Sequence, residues 1–123
     1  MSQQPDIKDL EPDSDDSLDG LGSSEFEEKK LIISGLVKKM KYYFLHNTRQ
    51  LILFSNSTLE YHDPERNIRK GIIRLTEKTI IKRKDSRTFT VTNPEREFIF
   101  KTIDVPADRW VLELRSFLDK KFH

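Results

Sequence analysis

Three lysines, Lys38, Lys39 and Lys41, follow directly on the apolar run Leu31–Val37 and stand before a second apolar run, Arg49–Phe54. Lysines gathered in the mouth of a hairpin between two hydrophobic strands make a pocket for a multiply charged anion, each ammonium acting as a point charge. The same three residues also suit an ordinary solvated loop. Catalysis finds no comparable footing. His46, His62 and His123 are scattered, and no pair has a metal-ligand spacing such as His-x-x-x-His. His62-Asp63 near the serines at 55–57 forms no triad, because no strand–turn–helix nucleophile elbow accompanies it. The expectation is a binding protein that is no enzyme and uses no metal and no cofactor.

Charge is distributed unevenly along the chain. The 123 residues carry a formal net charge of +1, yet residues 1–30 hold ten carboxylates against Lys8, Lys29 and Lys30, a net −7. The remainder carries 19 basic and 11 acidic groups, a net +8. A basic domain behind an acidic arm suits a polyanionic partner, phospholipid or nucleic acid. No recognition-helix, ribonucleoprotein or zinc-finger signature is present, which disfavours nucleic acid. The chain has no cysteine, so a disulfide framework is excluded. The first residues lack a positive region followed by an apolar run, and no apolar run approaches about 18 residues. A cytoplasmic location, peripheral at a membrane, is therefore expected.

The elements that position the cations follow from periodicity. Residues 1–28 are rich in Asp, Ser, Glu and Gly and cannot bury enough apolar surface to offset the entropy of ordering, so a disordered arm is expected there. Leu10, Leu18, Leu21 and Phe26 lie among its acids, as in a docking motif for a protein partner, although a solubilising arm has the same composition. Residues 29–123 form the expected domain. Its strands are read as 31–37, with Gly35 marking a bulge or bend, and 49–54, apolar enough to be covered on both faces. They continue with 58–61, 68–75, 79–82, 88–92 and 97–102. Short strands at spacings near ten residues indicate an antiparallel sandwich or barrel. The rhythm then breaks. Asp104 is placed to cap a helix, Pro106 suits its first turn, and Trp110, Val111, Leu114, Phe117, Leu118 and Phe122 recur on one helical face. The fold class is mainly β: seven antiparallel strands in a barrel or sandwich capped by one C-terminal amphipathic helix.

Seven strands and a C-terminal helix with a Trp near its start resemble a pleckstrin homology domain, of the kind carried C-terminally by phosphoinositide-dependent protein kinases. The likeness covers about residues 31–122. It is carried by Gly35-x-Val37-x-Lys39-x-Lys41, Phe44, Arg49-Gln50-Leu51-Ile52-Leu53, Leu59-x-Tyr61-x-Asp63-Pro64 and Lys70-Gly71. No kinase motif accompanies them. The resemblance implies a non-catalytic module that binds phosphoinositides or soluble inositol phosphates and recruits its owner to anionic membrane. Carried over by position, Lys39, Lys41, Arg49 and Lys70 are the headgroup-binding residues. Lys38, Arg66 and Arg69 are possible flanking cations. Asn47 stands where the family has a run of arginines, so an alternative is a protein-interaction or scaffold module on the same fold with a degraded pocket. Met40, Tyr42 and Tyr43 suit contact with a membrane interface, where Tyr is at home.

Overall fold

The computed structural model describes residues 29–41 and 45–123. The expected acidic arm at 1–28, and Tyr42, Tyr43 and Phe44, lie outside the described residues. Leu31–His123 form one compact unit. Its seven strands are β1 (Leu31–Met40), β2 (His46–Phe54), β3 (Thr58–Asp63), β4 (Ile68–Arg74), β5 (Ile80–Asp85), β6 (Thr88–Asn93) and β7 (Arg96–Thr102), followed by α1 (Ala107–Phe122). They make one antiparallel sheet in the order β4-β3-β2-β1-β7-β6-β5.

Alternation explains which side chains turn inward. In β1, Ile33, Gly35 and Val37 are buried while Ile32 is exposed and Ser34, Leu36 and Lys38 are half-covered, the period-two pattern of a strand with one face on a core. Strand β2 behaves likewise. Leu51 and Leu53 are buried, but Ile52 and Phe54 only partly, so the expectation that it is covered on both faces does not hold. The reason is topological: the sheet folds around a single core, and only one face of each strand meets it. Trp110, Leu114 and Leu118 bring α1 onto that core against β5 and β6. The Phe89 ring stacks on Trp110 at 5.8 Å and meets Phe100 at 5.5 Å. Such pairs contribute roughly 0.5–1.5 kcal/mol beyond area burial.

Two local expectations are corrected. Asp104 does not cap α1. The N-cap is Pro106 in extended conformation, with no side-chain cap hydrogen bond. The Asp104 carboxylate instead accepts the backbone N–H groups of Leu36 and Val105, each at 2.8 Å, and so ties the β7–α1 connection to β1. Nor does Gly35 mark the bulge of β1, whose register slips earlier, between Leu31 and Ile33. Gly35 pairs in register with Leu51, and its missing side chain admits the connection: a Cβ there would meet Val105 Cγ2 at 2.9 Å and Asp104 Oδ1 at 3.0 Å.

A cationic mouth at the hairpin ends

Strand direction alternates across the sheet, so the β1–β2 and β3–β4 turns fall at the same end. The register of β7 on β1 brings a third turn to them. Lys39 lies opposite Phe100, and the residues of β7 before Phe100 therefore run toward the β1–β2 turn. On the other side, Lys39 pairs with Asn47 and Val37 with Arg49. Lys39, Asn47 and Arg49 thus share the inward face with Val37 and Leu51, one or two residues beyond the last core layer.

The ammonium of Lys39 lies over two rings. Its Nζ sits 5.0 Å from the centroid of Tyr61 and 5.9 Å from that of Phe98. The Arg96 guanidinium also packs over Phe98, 4.4 Å from its centroid. Two cations therefore share one aromatic ring. Cation–π contact offsets part of the cost of holding them there, at roughly 0.5–2 kcal/mol each. Burial holds the Lys39 ammonium below its ordinary value of 10.5, and the charges of Arg96, Arg49 and Lys41 add to the effect in that order. Among the described residues, none of these four cations makes an ion pair with a carboxylate. A partly desolvated ammonium among like charges, none of them ion-paired, suits an anion.

The rim is built by the turns. Lys41 donates its backbone N–H to Leu45 O at 2.8 Å, closing the β1–β2 connection. Asp63 ends β3 and accepts the N–H groups of Glu65 at 2.9 Å and Arg66 at 3.2 Å, an Asx turn that fixes the β3–β4 loop. Those two backbone donors hold its carboxyl below the ordinary carboxylate value, with smaller help from Arg66 and Arg49. Asp63 is thus a carboxylate at the rim, and Arg66 sits in the same turn. Lys70 is the extra residue of a register slip in β4, since Tyr61 pairs with Gly71 and His62 with Arg69. It is exposed and is not among the charges that shift Lys39.

The structure distributes the remaining sequence candidates differently. Because of the slip at Lys70, Arg69 faces outward with His62, where it meets the buried Glu60 at 3.7 Å, away from the mouth. Lys38 alternates with Lys39 and faces outward as well, opposite Lys101. Neither flanks the mouth as expected. Met40 is half-covered and pairs with His46. Sequence reasoning missed Arg96. Its two-residue spacing from Phe98 was a visible signal, but the β7–β1 register that makes it a neighbour of Lys39 was not.

A small barrel-like sheet closed by one C-terminal helix, with cations assembled where its hairpins end, is the architecture of a recognition module of the pleckstrin homology type. Residues 23–123 match the family model described as PH domain, and the chain belongs to that family. Over 90 residues it is 31% identical to the probable serine/threonine-protein kinase pdkA of Dictyostelium discoideum, covering 73% of this chain and 13% of that protein's length. Among solved structures it resembles the C-terminal PH domain of pleckstrin in complex with D-myo-Ins(1,2,3,4,5)P5. The TM-score is 0.56 at 17% identity, over 74% of this chain and 97% of that one. It also resembles the PH domain of human oxysterol binding protein-related protein 11, with TM-score 0.57 at 20% identity, over 80% of this chain and 87% of that one. A third likeness is to the DH/PH fragment of PDZRHOGEF solved with human RhoA, with TM-score 0.63 at 12% identity, over 75% of this chain and 29% of that one.

Proposed function

We propose that this PH domain binds the headgroup of a phosphoinositide and recruits the protein that carries it to anionic membrane. The observation that supports this most is the seat of Lys39: a partly buried ammonium on two aromatic rings, surrounded by Arg96, Arg49 and Lys41 and lacking a carboxylate partner among the described residues. Arg49 and Arg96 supply planar forks for phosphate oxygens, and Lys39 and Lys41 supply point charges. Lys70, exposed on the neighbouring bulge, is in this reading a further cation for the headgroup. Met40 at the end of β1, together with Tyr42 and Tyr43 of the sequence, is the expected membrane contact in this reading. General attraction to an anionic leaflet is worth about 1 kcal/mol per basic residue near the surface, which gives weak, salt-sensitive binding unless a headgroup is recognised. The likeness to a kinase supports a signalling kinase as the owner, with this domain as its membrane address.

The test is a liposome panel paired with soluble inositol phosphates. Phosphoinositide vesicles are expected to bind more tightly than vesicles with phosphatidylserine alone, and Lys39→Ala and Arg49→Ala each to reduce binding roughly tenfold while the thermal melt is retained. Recruitment left unchanged in both variants rejects the mouth. Equal binding to both lipids, abolished by moderate salt, points to a protein-interaction module with a degraded pocket.

A further inference from the structure

The sheet ends on two edge strands, β4 and β5. Helix α1 reaches the edge of β5, where Arg115 donates to Ile81 O. Strand β4 has no such cover: among the described residues it pairs with β3 alone. Leu75 donates its N–H to Ser57 O at 2.9 Å, and the register that follows sets Ile73 and Gly71 bonding toward β3. Alternation turns the backbone N–H and C=O groups of Ile72 and Arg74 the other way. Asn93, at the end of β6, stands on that side, since its Nδ2 donates to Arg74 O at 3.4 Å. A row of outward backbone groups is a template for one more strand. The bulge at Lys70 blunts only the first half of this edge.

A groove of about 770 Å³ runs beside the second half. Ile72, Ile73 and Arg74 line it from β4, Arg96 and Phe98 from β7, and Lys78 from the β4–β5 connection. That connection is pinned in place: Thr79 Oγ1 accepts the Thr76 N–H at 2.9 Å and donates to Asn93 Oδ1 at 2.7 Å. The groove is therefore formed in advance of any occupant, which lowers the entropy an occupant must overcome. Charge selects the occupant. Strand β4 reads Ile68-Arg69-Lys70-Gly71-Ile72-Ile73-Arg74, three cations and no acid. Arg74, Lys78 and Arg96 outnumber Glu77 and Glu95 in the groove, and among the described residues none of the three cations makes an ion pair. Ile73 is buried in the core while Arg74 is exposed, so an added strand meets apolar side chains on one face and a cation on the other. A segment that alternates acidic with apolar residues is complementary to both.

We propose that the free edge of β4, from Gly71 to Arg74, takes up an extended acidic peptide of a protein partner as an added strand. Main-chain hydrogen bonds to Ile72 and Arg74 supply affinity, and alternate side chains supply selectivity. Arg96 and Phe98 border both this groove and the mouth, but the docking surface does not depend on the headgroup reading.

The experiment uses the full chain and three blocked eight-residue peptides: one alternating Glu with Val, one alternating Lys with Val, and the Glu–Val peptide with its backbone amides N-methylated. The Glu–Val peptide is expected to move the Ile72 and Arg74 amide resonances and to slow their hydrogen exchange. The lysine and N-methylated peptides are each expected to bind at least roughly tenfold more weakly. Arg74→Glu/Lys78→Glu, at two exposed positions, should weaken the Glu–Val peptide roughly tenfold and leave inositol phosphate affinity unchanged, whereas Lys39→Ala should do the reverse. No binding of the Glu–Val peptide at millimolar concentration overturns the proposal. So does equal binding of the glutamate and lysine peptides, or binding that leaves the Ile72 and Arg74 amides unmoved.

Discussion

Lys39 shows how one residue type changes meaning with its seat. Burial, then the charges of Arg96, Arg49 and Lys41, disfavours its ammonium form. Unfolding therefore takes up a proton between the depressed folded value and the ordinary 10.5, and the cost to stability is constant at low pH and relieved as pH rises through that window. A bound polyanion has the opposite preference and favours the ammonium. Headgroup affinity should accordingly begin to decline at a pH below that at which an ordinary lysine, at 10.5, would produce the loss. Isothermal titration across that range measures it, and Lys39→Arg should flatten the decline because guanidinium stays charged. Asp63 has the conventional acid sign: its contribution is present above the unfolded value of 3.8 and is lost as pH falls through the depressed folded one.

At the scale of elements, two glycines do different work for the same steric reason. Gly35 lets the β7–α1 connection lie across β1, and a methyl there strikes Val105 and Asp104. Gly35→Ala should destabilise the domain by roughly 1–3 kcal/mol, read from the midpoint of denaturant unfolding, with the mouth chemistry unaltered. Gly71 lies beneath Tyr61, and a Cβ would run into the Tyr61 hydroxyl and ring. Tyr61 is one of the two rings under Lys39. Gly71→Ala should swing that ring aside and weaken headgroup binding about threefold, a larger effect on affinity than on the unfolding midpoint. Strand edges are handled by α1. Arg115 donates from Nε and Nη2 to Ile81 O at 3.2 and 2.8 Å, and Arg83 meets Asp108 at 2.5 Å, so side chains from the helix occupy the edge of β5.

For the whole molecule the governing quantity is the separation of charge, −7 in residues 1–30 against +8 in the rest. Opposite net charges on one chain lead to the expectation that the arm weakens attraction to anionic lipid. Deleting residues 1–28 should raise affinity for anionic vesicles at low ionic strength, and the gain should vanish as the Debye length falls below about 10 Å. Flotation assays over a salt series measure it; identical curves for the two chains dismiss that effect.

The amino-acid order by itself located seven strands and a helix, because alternating apolar residues and turn residues are local signals: Asn93-Pro94 ends β6, and the three- and four-residue spacing from Trp110 to Phe122 makes α1; the β1–β2 ladder instead continues past the apolar runs to Met40 and His46, so that Lys38 and Lys39, expected in a loop, are strand residues. It also placed Lys39, Lys41 and Arg49 next to one hairpin. The tertiary structure decided the company they keep. A single-residue slip at Lys70 turns Arg69 to the outer face, and alternation along β1 sends Lys38 away from Lys39. The pairing of β7 with β1, more than 50 residues apart in sequence, brings Arg96 and Phe98 to Lys39. Register between distant strands is set by how the whole core packs, and no local pattern encodes it.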